Sequence, residues 1–230
     1  MIPANVDTIR RRVIQACARA GRQPDQVTLV AVSKTFSADQ IREVIRAGVL
    51  DVGENYVQEL LAKREQLVGE AVRWHFVGHL QSNKVKYIVP WVVLIHAVDN
   101  VGLAREIDRR AEQTGRVVDI LIEINTTREE TKFGVSPEAT VSFIRSLWGL
   151  KHLRVAGLMT IGPFLPDPEG SRPMFRMLRE LRREAAQLGQ DNVTMRHLSM
   201  GMTGDFEVAI DEGATLIRIG TAIFGSRKRS

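Results

Sequence analysis

Val27-Thr28-Leu29-Val30-Ala31-Val32-Ser33-Lys34 is apolar at consecutive rather than alternate positions, then ends on a hydroxyl and an amine. The run has the length of a strand, and its valines favour extended backbone. A strand that is apolar on both faces must be covered on both faces, which is the situation of a parallel sheet flanked by helices. The same signature recurs at Leu50–Asn55, Trp74–Leu80, Val92–Val98, Val118–Asn125, Val155–Ile161, Met195–Met200 and Ala214–Phe224.

Between these runs the period changes to that of a helix. Ser37–Ala47 places Ile41, Val44 and Ile45 on one face, and Asn100–Thr114 does the same with Val101, Leu103 and Ile107. Pro137–Leu147 and Phe175–Leu188 repeat the pattern. Strands alternating with helices predict an α/β protein. Eight of them in 230 residues predict a single (β/α)8 TIM barrel over residues 1–230, with Asn5–Ala20 as an extra N-terminal helix. An open doubly wound sheet is the alternative. It usually carries a glycine-rich loop after its first strand, whereas here the strand runs into Ser33-Lys34-Thr35-Phe36. No linker-like stretch and no repeat divides the chain.

Composition closes off other classes. Hydrophobic residues make up 44% and charged residues 26%, which excludes disorder, collagen and coiled coil as the main state. The longest apolar candidate for a membrane span, Ile88–Ala97, is too short and contains Pro90 and His96. Met1–Arg12 lacks the apolar segment of a signal peptide, and the lone Cys17 suits a reducing compartment. A cytoplasmic location and no membrane partner are expected. The net charge of +5 is dispersed in short clusters (Arg10–Arg12, Arg182–Arg183, Arg227–Arg229) with few aromatics, so no nucleic-acid partner is expected.

In such a barrel the chemistry sits at the C-terminal ends of the strands. Those ends read Lys34, Gly53-Glu54-Asn55, His79 to Asn83, Asn125-Thr126, Thr160-Ile161-Gly162, Ser199-Met200-Gly201-Met202-Thr203-Gly204 and Arg218-Ile219-Gly220-Thr221. A lysine rooted in a buried strand is pushed towards its free amine, the form that attacks an aldehyde. Alternatively, Lys34 reaches solvent or pairs with an acid such as Glu54. The hydroxyls and glycines after the seventh and eighth strands fall where this fold recurrently binds phosphate. An aldehyde at one end and a phosphate at the other point to pyridoxal 5'-phosphate.

Several motifs then carry a resemblance. They are Val30 to Thr35, Gly53-Glu54-Asn55-Tyr56-Val57-Gln58-Glu59, and Trp74-His75-Phe76-Val77-Gly78-His79-Leu80-Gln81-Ser82-Asn83-Lys84. Gly157 to Gly162, His197 to Met202, and Arg218 to Gly225 continue the series. In order and in wording the chain resembles the YggS/PROSC family of pyridoxal-phosphate homeostasis proteins. The resemblance implies an alanine-racemase-like barrel with the cofactor held as a Schiff base on Lys34. It implies Arg218 at the pyridine nitrogen, and Ser199, Thr203, Gly220 and Thr221 at the phosphate. Asn55, His79 and Met200 join the implied cofactor-binding set. Thr203-Gly204 departs from the family, where serine followed by a polar residue is usual, but the hydroxyl survives.

The resemblance further implies a carrier rather than an efficient enzyme, acting in vitamin B6, amino-acid and keto-acid balance, with recipient apoenzymes as partners. Arginine can only donate, so it favours an unprotonated ring nitrogen and a weak electron sink. Alanine racemases add a tyrosine base from a second domain of the partner subunit. This sequence has only Tyr56 and Tyr87 and no second domain, so a monomer is expected. A low-efficiency racemase is the competing expectation. Lys132, in the stretch after the fifth strand, either meets an anion at the pocket mouth or is a solvated loop lysine. His75 and His79 do not suggest a metal site, since four strand residues separate them by about 13 Å. His96 and His152 are expected in packing or surface roles.

Overall fold

The computed structural model describes residues 1–127, 133–163 and 165–225. Eight parallel strands close into a barrel in sequence order. They are β1 (Thr28–Val32), β2 (Asp51–Glu54), β3 (Arg73–Phe76), β4 (Leu94–Val98), β5 (Val118–Glu123), β6 (Leu153–Met159), β7 (Val193–Ser199) and β8 (Leu216–Ile219). Each falls within or overlaps one of the apolar runs. Closure is made by β8 on β1, with Leu29 opposite Ile217 and Val30 opposite Arg218.

The helices are α1 (Ile2–Arg19), α2 (Ala38–Arg46), α3 (Val57–Gln66), α4 (Val85–Ile88), α5 (Val101–Gln113), α6 (Thr140–Ser146), α7 (Arg172–Ala185), α8 (Phe206–Asp211) and α9 (Thr221–Phe224). Local chemistry sets several of their starts. Ser37 and Gln40 form a reciprocal capping box at α2, and the Leu103 amide donates to the Asn100 side chain at the start of α5. Among the described residues no helix is long and apolar enough to cross a membrane.

Strand alternation sorts the core into two compartments. Residues such as Ala31, Val52, Ile95, Ile122, Leu198 and Ile217 face outward and pack under the helices. Val30, Leu94, Ala97, Leu121, Ala156, Met159 and Leu216 fill the interior. The interior is not purely aliphatic, because His75, His96, Ser199 and Arg218 are buried as well. Register shifts occur where β6 meets β5 and β7. There Gly157 approaches β7 so closely that a Cβ would lie 1.9 Å from the His197 carbonyl oxygen.

One run is shorter as a strand than the sequence suggests. Ala214–Phe224 breaks at Gly220, whose carbonyl accepts from both the Ile223 and Phe224 amides at 3.0 Å. The chain thus turns from β8 directly into α9.

Candidate functional site

Lys34 lies two residues beyond Val32 and four beyond the interior residue Val30, so strand alternation turns it towards the barrel mouth. It lines a cavity of about 250 Å³ together with Val32, Phe36, Asn55, Val77, Ile161, Met202, Thr203, Arg218, Gly220 and Thr221. A larger groove of about 820 Å³ beside α3 is lined by Leu61, Leu67, Trp74 and Trp91 together with Arg64, Glu65 and Glu70. It holds no comparable nucleophile.

The backbone around Lys34 is clamped on both sides. The Ser33 hydroxyl donates to Glu54 Oε1 at 2.9 Å, and the Ser33 carbonyl accepts from Lys63 Nζ at 2.8 Å. The Thr35 amide donates to Glu59 Oε2 at 2.9 Å. Lys63 ties the two acids together, 2.5 Å from Glu54 Oε1 and 3.0 Å from Glu59 Oε2. Glu54 therefore serves Lys63, and its second oxygen accepts from the Asn55 amide at 3.0 Å. Partial burial pushes the Glu59 carboxyl up, but the Thr35 amide and Lys63 outweigh it and leave it below its ordinary range.

On the neighbouring strand β8, Arg218 is buried. Its Nη1 donates to Ser199 Oγ at 2.6 Å and its Nη2 to the Thr160 carbonyl at 2.8 Å. Burial lowers its pKa to about 10, partly offset by Glu123 and Asp205, so the guanidinium stays charged at neutral pH. Glu123, at the end of β5, is raised to about 7 by burial and by Asp99, against the pull of Arg218. No local pattern announces its titration, which depends on β4 and β5 bringing Asp99 and Glu123 together.

The third edge is hydroxyl and backbone. Thr221 Oγ1 donates to Thr203 Oγ1 at 3.2 Å, and the Ala222 amide donates to the same oxygen at 3.4 Å. Asp205 holds the loop after β7 by accepting from the Met202 amide at 2.7 Å and from the Ser171 hydroxyl at 3.1 Å. Phe36 stacks on Phe224 at 4.7 Å beside the cavity.

Six of the nine expected residues are thus brought together: Lys34, Asn55, Thr203, Arg218, Gly220 and Thr221. Three are not. Met200 shares the parity of Leu198 and is buried under the helices. Ser199 faces inward but lies beneath Arg218, its oxygen occupied by that guanidinium and by His96. His79 is carried outward by the loop after β3 and stacks on Phe133 at 4.0 Å. That loop lies against the loop after β2 so tightly that a Cβ on Gly78 would sit 2.2 Å from the Asn55 carbonyl oxygen. Lys132 and the Arg227–Arg229 cluster lie outside the described residues. His96, expected in packing, is fully buried but hydrogen-bonded at both ring nitrogens.

The residues fit pyridoxal 5'-phosphate. Lys34 offers an amine, Arg218 a fixed donor, Thr203, Thr221 and Gly220 a polar edge, and Val32, Val77 and Ile161 apolar walls. The Asn55 side-chain oxygen is buried without a hydrogen-bond partner among the described residues, as befits a group awaiting a ligand's donor.

A closed barrel with a lysine just beyond its first strand and a buried arginine on its last defines the class. The alanine racemase N-terminal domain family matches residues 4–228, and the chain belongs to it. An alanine racemase of Clostridium difficile 630 superposes with a TM-score of 0.71 at 15% identity, the chain covering 57% of its length and 96% of its own. That likeness concerns the fold alone. Within the class the affiliation is narrower. The pyridoxal phosphate homeostasis protein of Aquifex aeolicus is 50% identical over 220 residues, 96% of each chain. PipY of Synechococcus elongatus, solved with PLP bound, has a TM-score of 0.85 and 33% identity over 98% of this chain and 100% of that one. The chain is a member of the pyridoxal phosphate homeostasis protein family.

Proposed function

We propose that this protein holds pyridoxal 5'-phosphate reversibly on Lys34, as a carrier and buffer of the cofactor without efficient catalysis. The observation that carries the reading is the cavity itself. It brings Lys34, just beyond β1, together with Arg218 on the neighbouring β8, and with Thr203, Gly220 and Thr221. The PLP-bound structure of PipY, similar over its whole length, supports the same ligand here.

When bound, the cofactor supplies an aldehyde that condenses reversibly with amines. The protein's own residues do the rest. The clamp around Ser33 and Thr35 orients the Lys34 amine. Thr203, Thr221 and the backbone at Gly220 would take the phosphate, and Asn55 would accept from a ring-side donor. Arg218 would point an N–H at the pyridine nitrogen and hold it unprotonated, which weakens the ring as an electron sink. Neither tyrosine lines the cavity: Tyr56 and Tyr87 are 57% and 43% exposed. This supports a carrier over a racemase, and so does the homeostasis name of the relatives.

The test is an absorbance spectrum of the protein with pyridoxal 5'-phosphate, before and after borohydride, beside Lys34→Ala. A visible lysine-bound band that borohydride abolishes, absent from Lys34→Ala, is expected. An unchanged band in Lys34→Ala would remove the assignment.

A further inference from the structure

A line of hydrogen bonds crosses the barrel interior from the cavity to the opposite rim. Arg218 Nη1 lies 2.6 Å from Ser199 Oγ, and Ser199 Oγ lies 2.9 Å from His96 Nδ1. His96 Nε2 is 3.0 Å from His75 Nδ1, and His75 Nε2 is 3.0 Å from Asp51 Oδ1. Asp51, the first residue of β2, is in turn held by Arg73, whose Nε lies 2.8 Å from Oδ1.

Chemistry fixes the direction of every link. Arginine can only donate, so Ser199 accepts from Arg218. Among the described residues the only other partner of Ser199 Oγ is His96 Nδ1, so the serine proton goes there. A buried hydroxyl proton left unpaired costs about 1–3 kcal/mol. His96 Nδ1 is therefore an acceptor and its Nε2 carries the proton, which it donates to His75 Nδ1. His75 then carries its own proton on Nε2 and donates it to the Asp51 carboxylate. In this arrangement each imidazole carries one proton, on Nε2, and Asp51 Oδ1 accepts from both His75 and Arg73.

We propose that Ser199, His96 and His75 are positioning residues for Arg218: a one-way hydrogen-bond chain, anchored at Asp51, that fixes the guanidinium as a donor facing the cavity. The sequence gives no role to the two histidines, and the fold explains why they are there. An aliphatic interior would leave the arginine held only at Thr160. The charged and titratable groups around the pair are Arg218 on β8, His197 on β7, and Asp51 and Arg73 on β2 and β3. Burial first, then His75, Arg218 and His197, hold His96 well below the ordinary imidazole range, in keeping with a neutral link. The inference rests on the cofactor reading above for what Arg218 faces, but not for the chain itself.

Two measurements test it separately. Nitrogen-15 NMR of the histidine rings in cofactor-free protein at neutral pH is expected to find His75 and His96 both neutral with the proton on Nε2. A doubly protonated His75, or a proton on His96 Nδ1, would overturn the chain whatever the protein binds. The second measurement is cofactor affinity. Ser199→Ala and His96→Leu are each expected to weaken pyridoxal 5'-phosphate by about tenfold. In an Arg218→Gln background, Ser199→Ala is expected to change affinity by less than about twofold, because the chain then has nothing to position. Equal losses with and without the arginine would reduce these residues to packing. His96→Leu is the likelier variant to misfold, and Ser199→Ala, the smaller change, keeps the test open. Wild-type protein that binds no cofactor would sink the carrier reading and leave the NMR result standing.

Discussion

The Thr35 amide donates to Glu59 Oε2 at 2.9 Å, one residue after Lys34 and at a backbone φ of +70°. A β-branched residue in that left-handed region carries a cost of order 1–3 kcal/mol. Glu59 supports the turn around Lys34, together with the Phe36 amide, which donates to the Ser33 carbonyl at 2.9 Å. Glu59→Ala should lose this support, while Glu59→Gln keeps an acceptor for the amide. Borohydride trapping of the cofactor on Lys34 should be slowed severalfold in Glu59→Ala and little changed in Glu59→Gln. Equal behaviour of the two variants would count against the clamp.

Lys63 is 7% exposed and neutralises Glu54, which is fully buried. Removing one partner of a buried pair typically costs about 3–5 kcal/mol, while replacing both can be close to neutral. Lys63→Met should therefore lower stability to urea by about that amount. Lys63→Met with Glu54→Gln should recover most of the loss. A double variant as unstable as the single one would contradict the pairing.

Glu123 gives stability a pH dependence of readable sign. Its pKa rises from 4.5 to about 7 on folding, through burial first and Asp99 second. The folded state thus binds the extra proton, and this contribution is complete below the unfolded value and lost as pH rises through about 7. Glu123→Gln should stabilise the protein more at pH 8 than at pH 5, by no more than about 3 kcal/mol. Urea unfolding at the two pH values checks this, and a gain independent of pH would refute it.

Alanine in heavy water separates carrier from enzyme. With no tyrosine lining the cavity among the described residues, α-proton exchange should stay close to the rate given by free pyridoxal 5'-phosphate. Exchange at ordinary enzyme rates would make the protein a racemase, and Glu123, near pKa 7, would then be the first base to replace.

Much of this was legible beforehand, and the exceptions have specific causes. All eight strands were visible because strands covered on both faces read as unbroken apolar runs. Lys34 and Arg218 were legible because strand parity and strand ends fix where they point. The side chain of Met200 packs under the helices, as its parity with Leu198 requires. His79 could not be read, since its neighbour Phe133 is brought to it by a distant loop. The His75–His96 contact depends on how β3 and β4 lie beside each other in the barrel, which no local pattern encodes. Glu59 and Lys63 went unremarked in the sequence although they are spaced i,i+4, and nothing local marks the buried carboxylate of Glu54 behind them.

The barrel closes by joining β8 to β1, with Val30 opposite Arg218. The cavity therefore draws its amine from the turn after the first strand, and Arg218, Gly220 and Thr221 from the last strand and the turn that follows it. A nascent chain on the ribosome carries Lys34 early, yet Arg218, Gly220 and Thr221 reach it only once β8 has emerged and closed the barrel on β1.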